Sequence, residues 1–261
     1  MNQTYPKISI VTPSLNQGRF IEDTILSVKN QDYPNFEHII IDGGSTDETI
    51  EVLKKYPHLI WFSEPDKGQS DAINKGFRMA AGDIVGWLNS DDYYLPGAFN
   101  SIVPFFARNP EADLIYGDYN MVNYNGKIIK VMKEIEFNLN IMLYYRCYIP
   151  TTSLFFKRNI IDKGHYLDIS YIYSMDLEYF LRLAKLGYRF YHLPEILASF
   201  RWTGMNKSRL DMSSIWLERE KTLLKYGIRF FKKEKYNLIV YKILRYYYIF
   251  VRVWIKFIKS R

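Results

Sequence analysis

The sequence predicts an α/β fold: a mostly parallel sheet flanked by helices, followed by a C-terminal amphipathic helical tail. Three observations carry this. Short β-branched runs alternate with helical patterns through the first half, each run ends in a polar, turn-rich cluster, and charge divides sharply along the chain. The 261 residues are 48% hydrophobic and 24% charged, with 14 Gly and 10 Pro, which excludes a disordered, collagenous or coiled-coil chain. One Cys cannot make an intramolecular disulfide or a Cys-rich zinc site, so a reducing compartment, the cytosol, is expected. The first ten residues lack the charged and apolar regions of a secretory signal.

Residues 7–12 predict the first strand, with a polar turn at 13–18 and a helix over 20–29. Residues 36–41 predict the second, ending in Asp42-Gly43-Gly44-Ser45-Thr46-Asp47 before a helix through Ile50 and Leu53. A third strand at 59–62, a helix at 70–79 and a fourth strand at 84–88 follow, the last running into Asn89-Ser90-Asp91-Asp92. Repeated units of this length favour parallel pairing, and ligands of such sheets sit at the strand C-termini. Polar residues gather at all four ends: 12–16, Asp42, 64–68 and 89–92. No Gly-x-Gly-x-x-Gly follows the first strand and no P-loop is present, so a nicotinamide dinucleotide fold has little support.

The 89–92 cluster places hard oxygen donors at the mouth of the sheet, suited to Mg²⁺ or Mn²⁺ held by one or two carboxylates plus substrate phosphate. An Asx turn capping the next helix is the alternative. Residues 8–16, 42–47, 63–76 and 81–92 together resemble the nucleotide-binding half of the family 2 glycosyltransferases with the Rossmann-like GT-A fold. The resemblance is near-continuous over 7–97 and patchier to about residue 208. It implies an inverting transfer from a nucleotide-diphosphate sugar, with Mn²⁺ or Mg²⁺ as cofactor. It also implies roles by position. Pro13 and Asn16 border the base and ribose, and Asp42 bonds the base, commonly a uracil. Asp71 and Asn74 face the nucleotide and sugar; Asn89, Asp91 and Asp92 occupy the DxD region, with Asp91 as metal ligand. Arg201 opens a basic lid loop, 201–208, that approaches the diphosphate.

In the second half, residues 113–118 predict a strand, 120–133 a hairpin around Asn125-Gly126, and 151–156 another strand. The next helix begins near Asp176, with Leu177, Phe180, Leu181 and Ala184 as its apolar stripe. Asp176 stands off that stripe, where it could accept a proton from an acceptor hydroxyl or simply cap the helix. The segment resembles the family's Glu-Asp-x-Asp pattern, with Met175 and Glu178 replacing its ends, which implies Asp176 as catalytic base and Glu178 as runner-up. His38, His58, His165 and His192 show no ligand spacing and read as structural or exposed. A glycoside hydrolase would need two carboxylates flanking the bond, and a sugar nucleotidyltransferase a Gly-rich loop. An inactive membrane-associated scaffold stays open.

Residues 219–261 hold 13 Lys/Arg against Glu220 and Glu234, a net +11, which leaves residues 1–218 at −4. The basic pI therefore belongs to a tail, and nucleic acid is not expected as partner. The division predicts a transferase domain at 1–218 (nucleotide half 1–97, acceptor half 98–218) and a helical tail at 219–261. Lys242, Arg245, Arg252, Lys256 and Lys259 fall on one stripe roughly 100° wide of an otherwise apolar helix. The longest uncharged stretch, 246–251, is far short of the roughly 20 residues that span a bilayer. The stripe predicts a helix lying on a membrane, its cations at lipid phosphates and Tyr246, Tyr247, Tyr248, Phe250 and Trp254 at the interface. Packing on the body or on a second subunit is the alternative. The expected partners are thus a nucleotide-sugar donor, a glycan or lipid-linked acceptor and the cytoplasmic face of the membrane.

Overall fold

The computed structural model describes residues 5–204 and 211–259. Its first half is β1 (Ile8–Ser14), α1 (Gly18–Lys29), β2 (Phe36–Asp42), α2 (Thr49–Lys54), β3 (Ile60–Ser63), α3 (Gln69–Met79) and β4 (Ile84–Trp87). β1 pairs in parallel with β2 and β4, and β2 with β3. β1 is buried at all seven positions because it is covered on both faces. Its adjacent Ile10 and Val11 accordingly belong to opposite cores, Ile10 with Phe99 and Phe155 and Val11 with Ile73, Phe77 and Trp87. Gly76 lets α3 lie against β1, since a Cβ there would collide with Val11.

The second half comprises β5 (Tyr93–Tyr94), α4 (Ala98–Arg108), β6 (Leu114–Asn123), β7 (Ile128–Met132), β8 (Leu154–Lys157), α5 (Asn159–Asp162), α6 (Met175–Lys185), β9 (Phe190–Trp202), α7 (Met212–Tyr226) and α8 (Glu234–Lys259). The sheet order is β3-β2-β1-β4-β8-β6-β9-β5, with β7 on β6. β8 runs antiparallel to both β4 and β6, while β6 and β9 are parallel, so six of the nine strands among the described residues point one way. The expected hairpin is present: Gly126 turns it at φ 77°, and the Asn123 side chain accepts from the Asn125 and Lys127 N–H groups.

Three expectations are corrected. The strand expected at 151–156 starts at Leu154, because Thr151–Ser153 form a 3₁₀ turn whose Thr152 and Ser153 hydroxyls point to Asp92 and the Gly117 carbonyl. The boundary at residue 218 falls inside α7, since the charge changes there but the chain does not leave the body. Three cations of the α8 stripe face the body, while Lys242 is exposed. Arg252 is 7% exposed and pairs with the fully buried Glu134, Lys256 donates to the Lys133 carbonyl, and Arg245 lies 4.7 Å over the Trp216 ring. Among the described residues no helix is long and apolar enough to cross a membrane.

Candidate active site

The C-terminal end of the β1-β2-β3-β4 layer is a knitted set of loops. Asn16 adopts φ 53°, a left-handed conformation that Asn tolerates, and its Oδ1 accepts the Thr46 N–H at 2.9 Å. The Asn16 and Gly18 N–H groups donate to Ser45 Oγ at 2.7 Å and Asp47 Oδ2 at 3.0 Å. Pro13 is buried at the end of β1 and Asn16 is exposed, so of this pair only Asn16 presents a side chain to solvent. Asp42 is fully buried and accepts from the Gly44 and Ser45 N–H groups and the Ser45 and Ser63 hydroxyls. It shapes the loop: its Oδ2 takes three of these bonds and its Oδ1 one, in a carboxylate closed off from solvent.

Within 89–92 the acids separate by environment. Asp92 is fully buried and accepts from Thr152 Oγ1 (2.7 Å), the Arg201 N–H (2.9 Å) and Asn89 Nδ2 (3.3 Å). Burial and the neighbouring Asp91 charge push its carboxyl well up. Asp91 is half-buried, where Asp92 is fully buried. Burial pushes it up as well, against the opposing charge of Arg201. A carboxylate so desolvated is better balanced by a divalent cation, which the donor set fits: Asp91 from the protein and phosphate oxygens from a substrate. Among the described residues no three His, Cys, Asp or Glu gather into a closed cation site. Asn89 Oδ1 accepts from Gln69 Nε2 at 3.0 Å and from the Trp87 indole at 3.1 Å, so Asn89 orients the loop.

Two predicted donor residues are turned away from the strand-end cleft. Asn74 is 3% exposed, and its side-chain amide is spent on the Leu167 backbone in both directions at 2.9 Å. Arg201 is 3% exposed and belongs to β9; its guanidinium bonds the Asp91 and Tyr124 carbonyls and Asp23, at 2.6 Å for the last. It holds the Asp91 loop from behind. Residues 205–208 of the expected lid lie outside the described residues. Asp71, half-buried, accepts the Lys67 N–H at 3.1 Å and stays at the start of α3. A cavity of about 400 Å³ lined by Asp23, Tyr93, Asn125 and Arg201 lies on the α1 side and contains none of the other predicted residues.

Asp176 sits in the first turn of α6, half-buried. Burial raises its carboxyl, while the Leu177 N–H at 2.7 Å and the Cys147 thiol draw it back part of the way. Glu178 is different: it is fully buried between Arg182, Lys225 and Tyr226, whose hydrogen bonds overcome burial and hold it low. It ties α6 to α7 and has no access to an acceptor. The two halves meet at the first turn of α3. Gln69 holds Asn89, and the next residue, Ser70, donates to the Tyr171 carbonyl at 3.2 Å and to Met175 Sδ at 2.8 Å, next to Asp176. Thr152 supplies a second bridge, from the segment that carries Cys147 to Asp92.

The sequence profile described as Glycosyl transferase family 2 matches residues 9–166, more than half of the chain. The chain belongs to glycosyl transferase family 2. It is 30% identical over 208 residues to an uncharacterized glycosyltransferase of Mycobacterium tuberculosis, covering 78% of each chain. It is 28% identical over 235 residues to the putative teichuronic acid biosynthesis glycosyltransferase TuaG of Bacillus subtilis, covering 87% of this chain and 89% of that one. Among solved structures, S. aureus TarS residues 1–349 in complex with UDP-GlcNAc superposes with a TM-score of 0.66 at 18% identity, over 88% of this chain and 69% of that one. The mannosyltransferase PcManGT of Pyrobaculum calidifontis, in complex with GDP-Man and Mn²⁺, gives 0.60 at 15% identity over 95% and 86%. These likenesses show the GT-A fold.

The histidines of this family 2 chain fit the structural reading. His38 is buried beside Thr12 and held neutral by burial, pushed down to about 3, and His192 lies 2.8 Å from buried Asp118. Two residues were missed by sequence reasoning. Thr152 fixes Asp92, and Glu218 on α7 accepts from the Ile172, Tyr173 and Ser174 N–H groups at 2.7–2.9 Å. Neither stands in a recognisable motif.

Proposed function

We propose that the chain transfers a sugar, with inversion, from a nucleotide-diphosphate donor of the UDP-sugar type to an acceptor hydroxyl in the synthesis of a cell-surface polysaccharide or lipid-linked glycan. The observation that carries the reading is the bridge through adjacent Gln69 and Ser70, which hold Asn89 of the Asp91 loop and Met175 at the start of α6. Asp176 takes the acceptor proton, and the freed oxygen attacks the anomeric carbon from the side opposite the diphosphate. The bond to the diphosphate breaks as the new glycosidic bond forms, so one displacement inverts the centre. A raised Asp176 carboxyl suits a general base, whose strength grows as its pKa approaches the working pH. Mn²⁺ or Mg²⁺ held by Asp91 would supply charge neutralisation at the diphosphate. The loops at 13–18 and 42–47 border the nucleoside, with Asn16 and Asp71 as the accessible polar contacts. Relatives named for teichuronic acid and PGL/p-HBAD biosynthesis support the acceptor class.

The test is a screen of UDP- and GDP-sugars with Mn²⁺ against the parent and Asp176→Asn. Nucleotide release with the parent, lost in the variant while UDP with Mn²⁺ still raises its melting temperature, is the expected outcome. Equal turnover in both would remove Asp176 from the chemistry.

A further inference from the structure

α8 has two faces of unlike chemistry. Its inward face is docked: Tyr241 is 2% exposed, Tyr248 stacks on Tyr144 at 5.6 Å, and Arg252 pairs with Glu134. Its outward face, carrying Ile239, Ile243, Tyr246, Phe250, Val253 and Trp254, is 54% to 75% exposed. Between residues 243 and 258 the charged side chains are Arg245, Arg252 and Lys256, and all three turn to the body, so the outward face there is uninterrupted by charge. A contiguous apolar strip of this kind marks an interaction or membrane surface, unlike singly scattered exposed apolar residues.

Cations stand at one end of this strip. Lys235 and Lys242 are exposed on the first half of α8, and the preceding loop exposes Arg229, Lys232 and Lys233 beside Phe230 and Phe231. Asn237 fixes that loop to the helix by accepting the Phe230 and Phe231 N–H groups at 2.8 and 2.9 Å. A second copy packed on the same face, parallel or antiparallel, would meet these cations with no acid, since residues 235–261 contain no Asp or Glu. An anionic leaflet offers the opposite: apolar chains for the strip and phosphates for the lysines, with Tyr and Trp at the boundary.

We propose that the outward face of α8 inserts into the surface of an anionic bilayer, with the loop at 228–233 and the first half of the helix at the phosphates. The mode is the reverse of a cationic stripe laid on lipid: Arg245, Arg252 and Lys256 serve as the clamp that holds α8 on the protein, and the apolar side chains enter the membrane. The inward side of α8 rests on the turn Ile141–Tyr145, six residues or fewer before Cys147 at Asp176. Given the transferase reading, this places a lipid-borne acceptor on the side where the base stands.

The experiment is co-sedimentation of the full chain with vesicles of phosphatidylcholine alone or mixed with phosphatidylglycerol, which needs no turnover and so does not stand or fall with the transferase reading. Binding should favour the anionic vesicles. Ile243→Asp/Phe250→Asp should weaken it about tenfold or more while leaving the melting temperature and transfer to a water-soluble acceptor unchanged. Lys232→Glu/Lys233→Glu should weaken binding to the anionic vesicles only. Absence of vesicle binding, or binding untouched by the double Asp substitution, would overturn the proposal. So would a dimer seen by light scattering that the same substitution separates, since a second copy would then cover the face.

Discussion

Glu218 on α7 receives the Ser174 N–H at 2.7 Å from 44 residues away, and the Ile172 and Tyr173 N–H groups converge on the same carboxylate. Three consecutive amides thus form a nest around one anion immediately before α6, two residues short of Asp176. The contact orders the approach to the proposed base without touching it. Glu218→Ala should lower kcat by roughly tenfold to a hundredfold, the scale of a small misplacement of a reacting group, with little change in donor KM. Glu218→Gln keeps an accepting oxygen and should recover much of the loss. Parent-like kcat in both variants would leave Glu218 with a structural role only.

Asp176 gives a prediction in which activity and stability move apart. Its carboxyl is raised above the usual 3.8, chiefly by burial. Since the base must be ionised, kcat/KM should fall on the acidic side above 3.8. Asp91, also raised by burial, contributes its own part of that fall, and the part that belongs to Asp176 should persist in donor-independent readouts of the base. For stability the sign is opposite. The folded state holds the proton more tightly than the unfolded one, so ionisation costs stability as pH rises from the unfolded pKa through the folded one, and that cost persists at neutral pH. Asp176→Asn removes the cost. It should melt at least as high as the parent at pH 7.5, lose this advantage near pH 3, and transfer sugar about 10²–10⁴-fold more slowly. A marked loss of melting temperature at pH 7.5 would contradict the assignment of burial as the dominant influence.

The strand–helix alternation was legible because each half-buried or fully buried element has its own period, and β1 to β4 lie within a residue or two of their expected bounds. Direction and register in the second half were not, since β8 enters between β4 and β6 through side-chain bonds of Thr152 and Ser153 that no local pattern encodes. The same division runs through the site. Asp91 follows the end of β4 and Asp176 stands in the first turn of α6, placements legible because acids at a strand end and a helix start are visible as such. Asn74 and Arg201 are polar residues in the expected places whose bonding capacity the fold consumes internally, and only the long-range partners, Leu167 and Asp23, reveal it. The amphipathicity of α8 was likewise visible, but its inside and outside were reversed: the deciding partner, Glu134, lies 118 residues from Arg252.

Asp91 and Asp92 should separate in a metal-and-nucleotide titration. Mn²⁺ with UDP raises the melting temperature of a protein whose native state binds them, and Asp91→Ala should abolish most of that rise with little effect on the ligand-free protein. Asp92→Ala should do the reverse in the ligand-free state, since it strands the donors from Thr152, Arg201 and Asn89 in a fully buried site. Loss of those bonds costs on the order of 1–3 kcal/mol or more. If Asp91→Ala keeps a parent-like Mn²⁺ response, the ion is held elsewhere.

The clamp between α8 and the body can be tested through Glu134 and Arg252. Glu134 is fully buried and the Arg252 side chain is 9% exposed, so the pair is desolvated, and removing one partner leaves an uncompensated charge. Lys256, 3.8 Å from Glu134, offsets only part of this when Arg252 is lost. Arg252→Met should destabilise the docking of α8 by about 3–5 kcal/mol, and Glu134→Leu by a similar amount, because each buries an unpaired ion. The double substitution replaces the pair by apolar volume and should recover most of the loss, giving a large favourable coupling in the cycle. Hydrogen exchange along residues 234–259 is the suitable readout. Fast exchange over α8 in the single variants and slow exchange in the double is expected; uniform protection in all three would mean that the stacking of Tyr144 on Tyr248 and the burial of Tyr241 hold the helix without the ion pair.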